Sequence, residues 1–421
     1  MIANAKPRVL VLGGGFGGLE SAYYLRWRLG DRAHLTLVSD RDHFLYKPNT
    51  IYIPFGLAPE KLHIDLVRPT RRKDIEFVQG HVEDVDPVTK RVRIGSEERP
   101  YDYLVLATGA AMRPTEVAGL AEHALTIWTE ADMLRLREAY ARLVADARAG
   151  ERRRVLFLVP PNNKCSGPLY EMVMMLDTWL RRQRVRERVD IGWTTFERGY
   201  IQAFGPRLNE VVEREFQRRG IHGHRQYVVS EVSPDRVAFE NGEEVPFDLL
   251  VSFPPYIAAS RYAALPSDDR GFVRTELETR QVVGHPDIYA VGDTGDFPVK
   301  QAFLAFLQAD AAAEHLAQRI AGPNGFRPFE PTSMCVMEML NSATFAQVPL
   351  QVTGRPEQPV EVRPDALDRY RVGVSPAWRV GKKLLGLYLP FRFANGNPFH
   401  AGLPWKGMEL GLKAMSALLA S

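Results

Sequence analysis

Short apolar runs and longer amphipathic stretches alternate along this chain. Arg8 to Leu12 reads as a strand, and a helix pattern over Leu19 to Leu29 follows a glycine-rich turn. His34 to Ser39 is a second strand. Ile75 to Ile94 alternates and is broken by Asp86-Pro87, which predicts an antiparallel insertion, and Tyr103 to Leu106 then runs into the small-residue turn Ala107-Thr108-Gly109. Arg154 to Val159 opens a second strand-turn-helix stretch, with the turn at Pro160 to Gly167 and a helix from Leu169. Val82 to Ala107 is echoed by Val229 to Phe253: each copy reads as a β-meander feeding a hydrophobic strand through P-[YF]-D. Asp287 to Asp293 is another buried strand, and an Ala-rich helix over Gln301 to Ile320 follows it. Beyond Pro331 the pattern gives strands to about Val374, then Trp378 to Phe393 and Leu403 to Ser421.

Each meander follows its own strand-turn-helix unit, so the chain is α/β and holds two Rossmann-like dinucleotide-binding domains with antiparallel β-meander insertions, plus a C-terminal region. The expected boundaries are 1–115 with 271–330 for the first domain, 150–270 for the second and 331–421 for the C-terminal part. With 421 residues, 45% of them apolar, there is material for several domains around a large core. A formal charge of +3 gives no reason to expect nucleic acid as a partner. No secretory signal is expected at the N-terminus, and no run of 18 or more apolar residues predicts a membrane span. The two cysteines cannot form a disulfide scaffold, so any bridge between them serves chemistry rather than architecture.

The first turn, G-G-G-F-G-G-L-E, places Gly13, Gly15 and Gly18 in the pattern G-x-G-x-x-G, with Asp40 closing the next strand 22 positions after Gly18. Glycines allow backbone amides to close on a pyrophosphate, and an acid at that place binds a ribose hydroxyl. The second turn, P-P-N-N-K-C-S-G, has lost its glycines. Pro160 and Pro161 remove donors, and Cys165 stands ahead of a helix opened by Pro168, where the helix dipole should favour a thiolate. The second meander ends in Pro254-Pro255-Tyr256 where the first ends in Thr108-Gly109, which argues against an NAD(P)H site. Phe44 to Phe55 is an aromatic, proline-rich loop suited to line a ring system. Asp293 suits a sugar or ribityl hydroxyl, and Lys300 with the helix after it suits a developing anion.

Together, G-G-G-F-G-G, L-V-L-A-T-G at Leu104 to Gly109 and Y-A-V-G-D at Tyr289 to Asp293 resemble the flavoproteins with two dinucleotide-binding domains, over roughly Pro7 to Gly322. K-C-S-G-P-L-Y-E and M-C-V-M-E-M around Cys335 are similar to sulfide:quinone oxidoreductase and to the flavoprotein of flavocytochrome c sulfide dehydrogenase. The resemblance implies FAD held by Gly13, Gly15, Phe16, Gly17, Gly18, Asp40, Val82, Thr108, Gly109, Asp293 and Lys300. It also implies a redox-active Cys165–Cys335 pair that accepts sulfide and passes two electrons to FAD, with Glu171 as proton acceptor. Many members carry a third cysteine near Thr126 to Thr129; here Trp128 occupies that neighbourhood.

For the C-terminal part, Met408, Leu412, Met415 and Leu419 make one helical stripe with Leu418 beside it, opposite Lys406, Glu409 and Lys413. Trp378, Tyr388 and Trp405 with flanking cations suit a lipid headgroup boundary. The expectation is a peripheral membrane protein whose region Trp378 to Ser421 docks on the bilayer and admits a quinone; a helix that closes the domain, or a dimer contact, is the competing reading, and a homo-oligomer stays open. Three other functions remain: a soluble sulfide dehydrogenase flavoprotein serving a cytochrome, a type II NADH:quinone oxidoreductase, and a flavin carrier or sensor without turnover.

Overall fold

The computed structural model describes residues 6–322 and 325–420. Arg8–Leu12 (β1), Phe16–Leu29 (α1) and His34–Ser39 (β2) form the first strand-helix-strand unit. Ile75–Gln79 (β3) lies parallel to β2, and Tyr103–Leu106 (β4) lies parallel to β1 on its other side. The antiparallel insertion expected from Ile75 therefore begins only at Val82. The run Ile75–Gln79 joins the parallel sheet, where Ile75 packs against the core. The insertion itself is the three-stranded meander Val82–Asp86, Arg91–Ile94 and Glu97–Pro100.

The second unit repeats this plan. Helix Glu130–Arg148 (α2), strand Arg153–Val159 (β5), helix Gly167–Arg182 (α3) and strands Val189–Thr195 (β6) and Ile221–Arg225 (β7) lead through a meander over Val229–Val232, Arg236–Phe239 and Glu244–Pro246 to Leu249–Ser252 (β8). Its sheet runs Ala124–Thr126, β8, β5, β6, β7, all parallel. The chain then returns to the first sheet with His285–Ala290 (β9), parallel to β4. The echo seen in the sequence is thus an echo in space. Even its ion pairs repeat: the Arg8 amide donates to Asp102 at 2.7 Å and the Arg154 amide to Asp248 at 2.7 Å, each guanidinium closing the same pair.

Helix Ala302–Ala321 (α4) packs along α1, its alanines permitting close approach. The C-terminal part adds antiparallel strands Thr332–Glu338 (β10), Ala343–Arg355 (β11), Gln358–Val362 (β12) and Arg371–Ser375 (β13), then helices Pro376–Ala394 (α5) and Gly402–Leu419 (α6). Among the described residues no helix is long and apolar enough to cross a membrane.

The C-terminal aromatics correct the expectation. Trp378 is fully buried and stacks on Phe345 with ring centroids 4.0 Å apart, so it is a core residue rather than a headgroup anchor. Leu412 and Met415 pack against this same cluster, so the middle of the predicted stripe faces protein, while Leu418 and Leu419 at its end stay exposed. Further apolar side chains left in solvent lie outside that stripe: Val380, Leu384, Leu387 and Phe391 on one face of α5, and Leu403 and Leu410 on α6. The spacing i, i+4, i+7, i+11 along α5 makes this a continuous stripe.

Candidate functional site

The two sheets and the C-terminal strands meet at one cavity of about 680 Å³. Gly13, Gly15, Phe16, Gly17, Asp40, Val82, Thr108, Gly109, Asp293, Lys300, Cys165, Glu171 and Cys335 all line it. Of the residues singled out from the sequence, Gly18 alone is behind the wall. A Cβ there would stand 1.8 Å from the Gly13 carbonyl oxygen, so its glycine serves the approach of α1 to the turn. Gly13 has φ +115°, and a Cβ on it would meet the Ala107 carbonyl oxygen at 2.2 Å. Gly15, the residue before α1, has no side-chain cap and open space around it. The first amides of α1 therefore face the cavity without partners from a cap, which is an anion site. Asp40 stands exposed at the tip of β2.

This cradle fits the diphosphate of FAD, and Asp40 lines the same cavity. The aromatic loop lines the same cavity from Phe44 to Ile51, as a short strand followed by a 3₁₀ turn. Phe16 meets Phe44 and Phe306 edge-on at 4.7 and 5.4 Å. The Gly109 amide donates to Thr294 Oγ1 at 2.7 Å, which fixes the turn after β4. Desolvation raises the Asp293 carboxyl while Lys300 and Lys47 oppose it. The same burial lowers Lys47 to about 8 and Lys300 to about 7. Lys300 donates to the Gly295 carbonyl and lies 3.8 Å over the Phe272 ring, while Lys47 lies 3.2 Å over Trp128.

Asparagines hold the cysteine turn in place of glycines. Asn163 accepts the Cys165 amide at 2.9 Å and donates to the Phe253 carbonyl at 2.7 Å, tying the turn to the end of β8. The Lys164 carbonyl takes the Lys300 amide at 3.1 Å. Cys165 is a free thiol here, as is Cys335 on β10. Burial pushes both thiols up, Cys335 to about 12. Negative charge on Cys335, Asp293 and Glu171 further raises Cys165, which brings these four groups into one neighbourhood. The expected helix-end effect is present, since the Gly167 amide lowers Cys165, but desolvation outweighs it. The resting thiol is therefore not poised as a thiolate.

Glu171 is not the surface side chain that its helical position allowed. It is buried, accepts the Glu338 amide at 2.7 Å, and pairs with Lys382 of α5. Lys382 also donates to the Val336 carbonyl at 2.8 Å, next to Cys335. Burial raises the Glu171 carboxyl and Lys382 opposes that rise. Behind this pair, buried Glu338 accepts from Tyr52 at 2.6 Å and Arg379 at 2.8 Å. Lys382, Glu338, Arg379 and Tyr52 were not given roles from the sequence; the available signals were the cations Arg379, Lys382 and Lys383 in a largely apolar helix and the Glu338 that follows Cys335 by three positions.

Comparison with known proteins adds the following. Residues 7–145 match the family model for pyridine nucleotide-disulphide oxidoreductases. The chain is 30% identical to the sulfide-quinone reductase of Aquifex aeolicus over 59% of its own length and 58% of that protein's. It is 27% identical to the demethylphylloquinone reductase NdbB of Synechocystis over 78% of this chain and 83% of that one. The solved structure of sulfide:quinone oxidoreductase from Aquifex aeolicus superposes with a TM-score of 0.84, covering 97% of this chain and 96% of that one at 24% identity, which establishes the fold.

Proposed function

Because this chain is a homologue of the sulfide-quinone reductases with the fold of the pyridine nucleotide-disulphide oxidoreductases, we propose that it oxidises sulfide at a Cys165–Cys335 pair and passes the electrons through FAD to a quinone. The observation that carries this reading is the convergence of the two cysteines in the chain, from α3's leading turn and from β10, on the cavity that the glycine cradle opens into. FAD, when bound, supplies a two-electron sink between sulfur and quinone. Gly13, Gly15, Phe16, Gly17, Asp40, Val82, Thr108, Gly109, Asp293 and Lys300 would hold it, with Gly18 supporting the turn from behind. The assignment of 1–115 with 271–330 to the FAD-binding domain, 150–270 to the cysteine-bearing domain and 331–421 to the acceptor side belongs to the same proposal.

The chain's own chemistry runs as sulfur exchange. Hydrosulfide attacks one sulfur of the oxidised pair: a new S–S bond forms, the Cys–Cys bond breaks, and a persulfide and a thiolate result. Rejoining the persulfide and thiolate as a trisulfide would release one proton and two electrons, which the bound cofactor would have to accept. Desolvation around Cys335 makes a thiolate there costly, which favours its rapid discharge. Glu171, whose charge acts on both thiols, would receive the proton, and its pair Lys382 orients it and opposes the rise that burial gives its carboxyl. Trp128 stands where many relatives by resemblance carry a third thiol, so sulfur here lengthens on two cysteines only.

Anaerobic stopped-flow mixing tests the reading. Sulfide should bleach the bound flavin rapidly and NADH should not; bleaching by NADH alone overturns it. The membrane face is the exposed stripe on α5 and α6, where Leu387 and Leu403 are 70% and 81% exposed. The intact protein should float with liposomes, and Leu387→Glu with Phe391→Glu should stay in the soluble fraction with its sulfide-driven bleaching retained. Flotation unchanged by that pair of substitutions would remove this face from the proposal.

A further inference from the structure

Behind the cavity wall lies a cluster that the sulfur chemistry does not use. Glu20 of α1, Asp310 of α4 and His400 in the loop between α5 and α6 are all buried, and each brings a ligand-type atom to within 4.8 Å of the others. The three come from segments far apart in the chain. Glu20 accepts the backbone amides of Phe399 at 2.5 Å and His400 at 3.0 Å, and Asp310 Oδ2 lies 2.6 Å from His400 Nδ1. Two polar atoms in this group remain without a hydrogen-bond partner although shielded from solvent: Asp310 Oδ1 and His400 Nε2. Such atoms are rare and unfavourable in a folded interior. The shell around them is aromatic, with Phe303, Phe306, Phe399 and Trp405 all against the imidazole ring. Arg327, the guanidinium nearby, is already paired with Glu314 at 2.9 Å.

We propose that Glu20, Asp310 and His400 form a divalent-metal site, with Zn²⁺ the ion that matches the donor set. Two carboxylates supply the charge that balances a dication, and one imidazole selects against Ca²⁺ and Mg²⁺, which take oxygen ligands. The amides that hold Glu20 orient a ligand in the manner of outer-sphere support. His400 Nε2, which has no hydrogen-bond partner, is the ring atom left free to bind. The ion would join α1 and α4 to the loop that carries Phe399, a residue of the cavity wall, and so clip that wall in place.

The test uses the flavin-loaded full chain with Cys165→Ser and Cys335→Ser as background, so that thiols do not bind the probe. After depletion with EDTA, incubation with ZnSO₄ and gel filtration, elemental analysis should find about one Zn²⁺ per chain, and the melting temperature should rise. Glu20→Gln keeps the size of the side chain and an acceptor for the backbone amides; it should reduce the zinc content at least fivefold and abolish the thermal shift, as should His400→Ala. Absence of retained zinc in the background protein overturns the site, and then the two carboxyls share a proton instead. Zinc retained undiminished in Glu20→Gln overturns it as well.

Discussion

Arg8 with Asp102 and Arg154 with Asp248 make the same contacts at the same separation, so two units of this molecule share a plan down to single hydrogen bonds. They part at the turn after their first strand. In the first unit, glycines leave the opening amides of α1 facing the cavity, and Asp40 stands exposed at the tip of β2. In the second, Asn163 spends one end of its amide on the Cys165 amide of its own loop and the other on the Phe253 carbonyl past β8, and the acid past the second strand is used up locally. Glu197 takes the Thr195 hydroxyl at 3.0 Å and the Gln202 amide at 3.0 Å. The same scaffold leaves its polar groups free at the first turn and ties them to one another around a thiol at the second.

The largest break in this comparison comes at the thiols. Cys335→Ser or Cys165→Ser should slow flavin reduction by sulfide on the order of 10³-fold, since no exchange can start. Bound FAD should be unchanged in both, and equal loss of flavin would mean that the cysteines serve structure instead. Next come the glycines. Gly18→Ala drives a Cβ into the Gly13 carbonyl and should destabilise the chain by about 2–3 kcal/mol, with weak flavin retention. Gly167→Ala at the start of α3 meets nothing within 4 Å and should leave the melting temperature within error. Equal effects at Gly18 and Gly167 would contradict the division of labour between the two turns.

How much of this was legible in the sequence follows from range. The turn at Gly13 to Gly18, the strand ending before Asp40 and the paired meanders are local patterns, and each is found where it was expected. That Cys165 and Cys335 line one cavity was legible only through resemblance, because no local pattern links β10 to α3. Lys382 and Glu171 are 211 positions apart, Tyr52 and Glu338 are 286, and no periodicity reports such pairs. Trp378 was misread for a related reason: a tryptophan flanked by arginine looks the same whether its ring stacks on Phe345 or meets lipid.

A smaller effect sharpens the picture at the acceptor side. Lys382→Met leaves Glu171 buried without its cation and should cost about 3 kcal/mol, whereas Lys382→Met with Glu171→Gln removes both charges and should recover part of that. Denaturant unfolding of the two single variants and the double variant measures the coupling. Strict additivity would mean that the contact is not a working pair.

The smallest effect concerns the seam between the two units. Glu116, just past the first unit, takes Arg270 at 2.8 Å and Asn162 at 2.5 Å, and so reaches the turn that carries Cys165. Hydrogen bonds from Arg270, Arg113 and Asn162 outweigh desolvation and hold its carboxyl down at about 2. A depressed folded-state value means that the contribution is complete above the ordinary glutamate range near 4.3 and is lost as pH falls toward 2. Glu116→Gln should therefore lower the melting temperature by about 1–3 °C at pH 7, a small figure because the group is partly hydrated. At pH 3 the gap between variant and parent should shrink. A gap that stays constant from pH 7 to pH 3 would show that the side chain acts by shape rather than by charge.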